Sequence, residues 1–206
     1  MTDEGGEMTA SRPCFSRRRV GAAIGLLLLT VGSGEAKLLR SQEEALASVF
    51  PGCRIERLTV YPSEEQVAAA SAAAGSPVRS SVVYPYVAWA DSGLVGTAYF
   101  DTHIVRTLPE VLMIAVGPGG NLRRVEVLSF QEPPEYLPKA GWYAQFAGRV
   151  LDAELNLRRG IRPMTGATLS ARSTVDAVRR VLALHRVLPA TPGPGNAPGD
   201  GTKGEP

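Results

Sequence analysis

Two hairpin signals in the middle of the chain constrain its fold more than any other feature. "SSVVYPYVAWA" (80–90) and "LVGTAYF" (94–100) flank Asp91-Ser92-Gly93; "EVLMIAV" (110–116) and "LRRVEVLSF" (122–130) flank "GPGGN". Apolar, β-branched and aromatic runs broken by Gly, Asn and Asp read as strands joined by tight turns. A further segment, "CRIERLTVY" (53–61), alternates apolar and polar side chains as a half-buried strand does. Helical patterns lie on either side of the hairpins. "SQEEALASVF" (41–50) opens with the capping pair Ser41 and Glu44, and "PSEEQVAAASAAAG" (62–75) has Ser63 and Gln66 with Gly75 as its stop. "GWYAQFAG" (141–148) places Trp142 and Phe146 four residues apart on one helical face. Strands in one run and helices in others indicate an α+β domain, an antiparallel sheet with helices packed on it.

The ends of the 206-residue chain read differently. Arg17-Arg18-Arg19 precedes the apolar run Val20–Val31, and Gly34 and Ala36 supply small residues after it. That order is the pattern of a signal peptide over 1–36 and implies an exported protein, periplasmic or extracytoplasmic; an uncleaved membrane anchor is the alternative. The domain then occupies 37–188, and the Pro/Gly-rich stretch 189–206 has no apolar pattern and reads as a disordered tail. Cleavage after Ala36 removes Cys14 and leaves Cys53, expected to be a buried small residue, as the only thiol. One cysteine makes neither an internal disulfide nor a dithiol couple, so any redox chemistry needs a cofactor. A formal charge of +2 without a basic, aromatic-interleaved stripe argues against nucleic acid as a partner.

"RPMTGATLSARSTVDAVRRVL" (162–182) carries the most specific local pattern. Ala171, Val175, Val178, Val181, Leu182 and Leu184 form one core-facing helical stripe, with Arg172, Arg179 and Arg180 expected largely outside it. Thr165, Gly166, Ala167 and Thr168 then fall at the helix start, where free N–H groups and the positive end of the dipole favour an anion. Small residues there allow a bulky group near the backbone. The plainer reading is a capped helix, with Thr165, Ser170 or Ser173 as the cap.

"TGATLS" followed by an amphipathic helix, at the end of an α+β domain behind a signal peptide, resembles the FMN-binding domain family. That family includes the G subunit of the Rnf electron-transport complex and the C subunit of the sodium-pumping NADH:quinone oxidoreductase. The resemblance extends over about Val82 to Leu188 and includes "VEVLSFQEPPEYLPKAGWYAQFAGRV". It implies FMN as cofactor, joined through a phosphoester to Thr168 by a flavin transferase, with Thr165, Gly166, Ala167, Leu169 and Ser170 completing the motif. It places Glu132 in the loop beside the flavin. It also implies electron transfer between periplasmic or membrane redox proteins, not stand-alone catalysis. The chain departs from the family at Arg162, where the motif has aspartate, and at Pro133-Pro134-Glu135-Tyr136, where many relatives have a glycine-containing loop. Covalent FMN, non-covalent FMN with Arg162 on its phosphate, and a flavin-free binding or assembly module are the three readings these residues leave open.

His103, Arg106 and Thr107, in the polar stretch after the strand ending at Phe100, are further candidates to line the flavin site, against an ordinary surface connection. Tyr136 and Trp142 are candidates to stack on a ring, or simply to fill the core. Asp152 and Glu154 read as a solvated face. No Gly-x-Gly-x-x-Gly fingerprint is present, which argues against direct use of a nicotinamide.

Overall fold

A computed structural model describes residues 37–188. They lie in the larger of two units into which contacts divide the chain, Gly34–Pro206; the other, Met1–Ser33, and with it the expected signal peptide, lies outside the described residues, as does the expected tail 189–206. Among the described residues no helix is long and apolar enough to cross a membrane.

The hairpin signals produce the sheet. Strands β1 (Lys37–Leu38), β2 (Arg54–Arg57), β3 (Tyr86–Ala90), β4 (Gly93–Ile104), β5 (Pro109–Val116) and β6 (Leu122–Phe130) form one sheet in the order β1-β6-β5-β4-β3-β2, every pair antiparallel. The β5–β6 turn is closed by the Gly117 amide on the Asn121 carbonyl at 2.7 Å, with Gly120 at a φ of 78°. That left-handed conformation is where glycine is needed.

Helix α1 (Gln42–Val49) covers one face of the sheet, with Phe50, Met113, Ala115 and Leu128 beneath it. Helices α2 (Glu64–Ala74), α3 (Ala140–Tyr143) and α4 (Thr168–Val187) cover the other, over Leu112, Ile114, Val116 and Val125. Both expected capping boxes form, Ser41 with Glu44 and Ser63 with Gln66, and Gly75 ends α2 in the left-handed conformation. The expected apolar stripe of α4 is buried throughout. Each of its larger side chains contributes about 1.5–3 kcal/mol by leaving water.

Several boundaries differ from expectation. The segment 80–90 is not one strand: Pro85 has no N–H to give a ladder, so β3 begins at Tyr86 and Val83 forms only an isolated bridge to Val60. Of 53–61, only Arg54–Arg57 is strand. The helix expected over 141–148 is the single turn α3 followed by a 3₁₀ turn, Ala144–Phe146. Cys53 is half-buried, not buried. Arg179 and Arg180 are not outside the packing. Arg179 donates to the carbonyls of Ala74, Asp152 and Leu155, and Arg180 reaches Asp101. Only Arg172 of the three is exposed.

The largest difference is β4, which continues past Phe100 to Ile104 and makes a third hairpin with β5. His103 is therefore part of a strand, not of the connection that follows it. Asp101 and His103 broke the apolar alternation because they satisfy each other on the α4 side of the sheet, where sequence alone shows only two polar residues.

Candidate functional site

The motif residues gather at the start of α4. Thr168 is the first helical residue, Ala167 occupies the cap position, and no side chain caps the helix. None of the three expected caps performs that role. Ser170 and Ser173 lie inside the helix, and Thr165 is exposed in the turn before it. The first-turn N–H groups consequently lack a side-chain acceptor. Gly166 has a φ of 84°, and nothing lies within 4 Å of where a Cβ would stand, so the approach to this turn is open. The Thr168 side chain is exposed, its hydroxyl donating to the Met164 carbonyl at 3.2 Å. Leu169 is 50% exposed beside it, a large apolar side chain without core partners.

Ser170 points inward. Its buried hydroxyl donates to the Tyr136 carbonyl, which fixes the helix start to the loop after β6. In that loop Glu132 Oε1 accepts from the amides of Arg106, Thr107 and Leu108 at 3.1, 2.6 and 2.8 Å, and from the Thr107 hydroxyl at 3.3 Å. The Arg106 guanidinium lies 4.4 Å from the Tyr136 ring centroid, a cation–π contact closing the same circuit. Thr107, Glu132, Tyr136 and Ser170 thus join three segments distant in sequence. The Glu132 carboxylate is used to fold the 105–108 turn; its function here is to shape the loop. The Thr107 amide, followed by those of Leu108 and Arg106, holds its carboxyl below the usual range. A depressed pKa gives stability that is present above the unfolded value and lost as pH falls through the folded one. Glu132→Gln is therefore expected to release the turn at neutral pH, with faster hydrogen exchange at the amides of 106–108 and little change in α2. Unchanged exchange there would remove this role.

His103 belongs to a different cluster, beneath α4. Its Nδ1 lies 2.8 Å from Asp101 Oδ1 and its Nε2 3.1 Å from Glu110 Oε2, while Arg180 reaches Asp101 at 3.3 Å. Glu110 is 0% exposed. Burial opposes a charged imidazole, but the bonds and charges of Asp101 and Glu110 outweigh it and raise His103 to about 9. The Glu110 carboxyl is raised by burial, which the bond from His103 only partly offsets. Burial raises Asp101 as well, but His103 and Arg180 together bring it below its ordinary value. With His103 charged, two cations face two carboxylates. A raised histidine gives stability that is complete below about 6.5 and disappears as pH rises through about 9. Imidazole resonances followed by NMR should titrate near 9 for His103, and below the ordinary histidine value for His185, which burial lowers. A His103 midpoint near 6.5 would contradict this geometry.

Trp142 is buried and its indole N–H donates to the Arg162 carbonyl at 2.7 Å, so it positions the segment before the motif; its ring packs 5.3 Å from that of Phe146. Asp152 is exposed as expected, and its carboxylate also accepts from the amides of Glu154 and Leu155. The sequence reading missed Asp101, Glu110 and Arg180. The one available signal was the i, i+2 spacing of Asp101 and His103, which puts both on one strand face.

Comparison with protein-family models, with curated proteins and with solved structures finds no match for this chain.

Proposed function

We propose that this chain is an exported flavoprotein of the FMN-binding-domain type, carrying FMN as a phosphoester on Thr168 and passing electrons between redox partners. The observation that carries the reading is the exposed Thr168 hydroxyl at an uncapped helix start, inside a Thr-Gly-Ala-Thr-x-Ser motif. The residues present suit the group. Gly166 leaves room for it, the first-turn amides and helix dipole favour its phosphate, and Ser170 and Glu132 hold two loops that flank the helix start. When bound, FMN supplies one- or two-electron transfer through its isoalloxazine ring. The chain's own contributions are anchorage at Thr168, an apolar contact at Leu169 and a rigid surround from the Glu132 clamp. Anchorage by the phosphate end leaves the ring free to face a partner, and it prevents loss of the cofactor outside the cytoplasm. The partners on this reading are a flavin transferase and periplasmic or membrane redox proteins.

Arg162 supports a second reading, non-covalent FMN. Its exposed guanidinium stands where the family's motif has a carboxylate, and guanidinium suits phosphate. Intact mass of the exported protein, produced beside a flavin transferase, decides between them. A chain heavier by FMN less water, yellow after denaturation, supports the ester. Colour released on denaturation supports the second reading, and colourless protein of bare-chain mass, even when supplied with FMN, overturns both.

A further inference from the structure

We infer that Lys139, Arg149, Arg159 and Arg162 form a binding site for a phosphate group, in a cavity of about 830 Å³ beside the start of α4. Its lining also includes Trp142, Gln145, Gly160 and Met164, and no carboxylate. Among the described residues none of the four cations is paired with an acid. Four like charges around one concavity repel one another, and an anion placed among them relieves that repulsion.

The Arg149 guanidinium and the Arg162 backbone are held in place, while the Lys139, Arg159 and Arg162 side chains are exposed. Gln145 Oε1 accepts from the Arg162 amide at 2.9 Å and the Trp142 indole donates to the Arg162 carbonyl, so the peptide groups on both sides of this residue are fixed. The half-buried Arg149 guanidinium donates to the Gly160 carbonyl at 2.7 Å and to that of Gln145 at 3.3 Å, and these neutral acceptors leave its charge unbalanced. Gly160 is required for that approach, since a Cβ there would stand 2.7 Å from Arg149 Nη1 and 2.5 Å from the Glu154 carbonyl oxygen. Two residues before it, Arg158 has a φ of 64°, the one non-glycine residue with positive φ among the described residues. The turn carrying this strained residue brings Arg159 into the lining of the same cavity as three other cations. Guanidinium forks match phosphate oxygens in pairs, and four cations without a carboxylate balance a divalent phosphate better than a monovalent anion. Met164 links the cavity to the attachment hydroxyl, because its carbonyl accepts from Thr168. The phosphate arrives either free or as the terminal group of FMN. The site itself does not require an ester at Thr168.

Full-length Thr168→Ala protein prepared without flavin tests this by calorimetry with inorganic phosphate, FMN and riboflavin. Phosphate is expected to bind, and Arg162→Glu and Arg159→Glu, each introduced into that protein, are expected to weaken it by at least about tenfold, the equivalent of one lost charge-assisted contact. FMN competing with phosphate, with riboflavin at least about tenfold weaker, assigns the site to the flavin's phosphate; phosphate binding without competition from FMN assigns it to a free phosphate. Both outcomes support the site. Three results overturn it: no phosphate binding, affinity unchanged in both charge reversals, or equal displacement by chloride at matched ionic strength. Thermal unfolding of each variant, with Arg162→Lys as the charge-preserving control, separates a lost site from a lost fold. Wild-type protein yellow on its polypeptide beside a Thr168→Ala protein blind to phosphate ends the site and leaves the flavoprotein. Colourless wild type beside phosphate binding does the reverse.

Discussion

If the proposed phosphoester is present, Thr168→Ala protein produced beside the same flavin transferase as the wild type is expected to carry no flavin on its polypeptide, a complete loss. No other hydroxyl in the motif is placed to substitute. Ser170 is buried and its hydroxyl is committed to the Tyr136 carbonyl, while Thr165 precedes the helix and lacks its first-turn amides. The exposed Thr168 side chain makes one long hydrogen bond, to Met164, so its removal leaves the fold intact. An exposed substitution of this kind changes stability by about 0.5 kcal/mol or less. Intact mass and denatured absorbance read the result. A yellow Thr168→Ala polypeptide would move the attachment elsewhere, and Thr168→Ser, which keeps a hydroxyl at the same point, is expected to retain the flavin at least in part.

His103→Ala is expected to produce a large loss of stability, about 3–5 kcal/mol at neutral pH. The cost arises from what remains. Glu110 is 0% exposed, and among the described residues His103 Nε2 is the only group bonded to its carboxylate and Oε1 has no partner. Without the imidazole, a buried carboxylate must either ionise without a counter-charge or stay protonated. The loss should therefore shrink as pH falls and Glu110 takes up a proton. Adding Glu110→Gln to the His103→Ala chain should recover part of the stability, since it removes the stranded charge. Chemical denaturation at two pH values measures all three variants. Equal losses at both pH values, with no recovery in the double variant, would mean that packing and not charge holds this cluster.

Much of the fold could be read in advance because its signals are local. Ser41 with Glu44 and Ser63 with Gln66 satisfy their own helix ends, and Gly75 and Gly120 adopt conformations that favour glycine. The turns at Asp91–Gly93 and Gly117–Asn121 set the two hairpins whatever surrounds them. The candidate site divides along the same line. The motif from Thr165 to Ser170 was legible as a contiguous pattern at the mouth of an amphipathic helix. The Glu132 clamp was not, because its donors lie about two dozen residues upstream and are backbone amides, which no side-chain pattern records.

Sequence alone determined the order of the four central strands and the two helices before them, the α+β class and the position of Thr168 at a helix start, since each follows from periodicity, capping and turn chemistry within a few residues. Tertiary structure alone decided that β4 runs on to Ile104, that Arg179 and Arg180 pack instead of facing water, and that His103 lies between Asp101 and Glu110. It also decided that Lys139, Arg149, Arg159 and Arg162 share one cavity. A polar residue is tolerated in a core strand, or left without a counter-ion on a surface, according to what stands opposite it. The partner across the sheet or beyond the next loop is fixed only when the chain closes on itself.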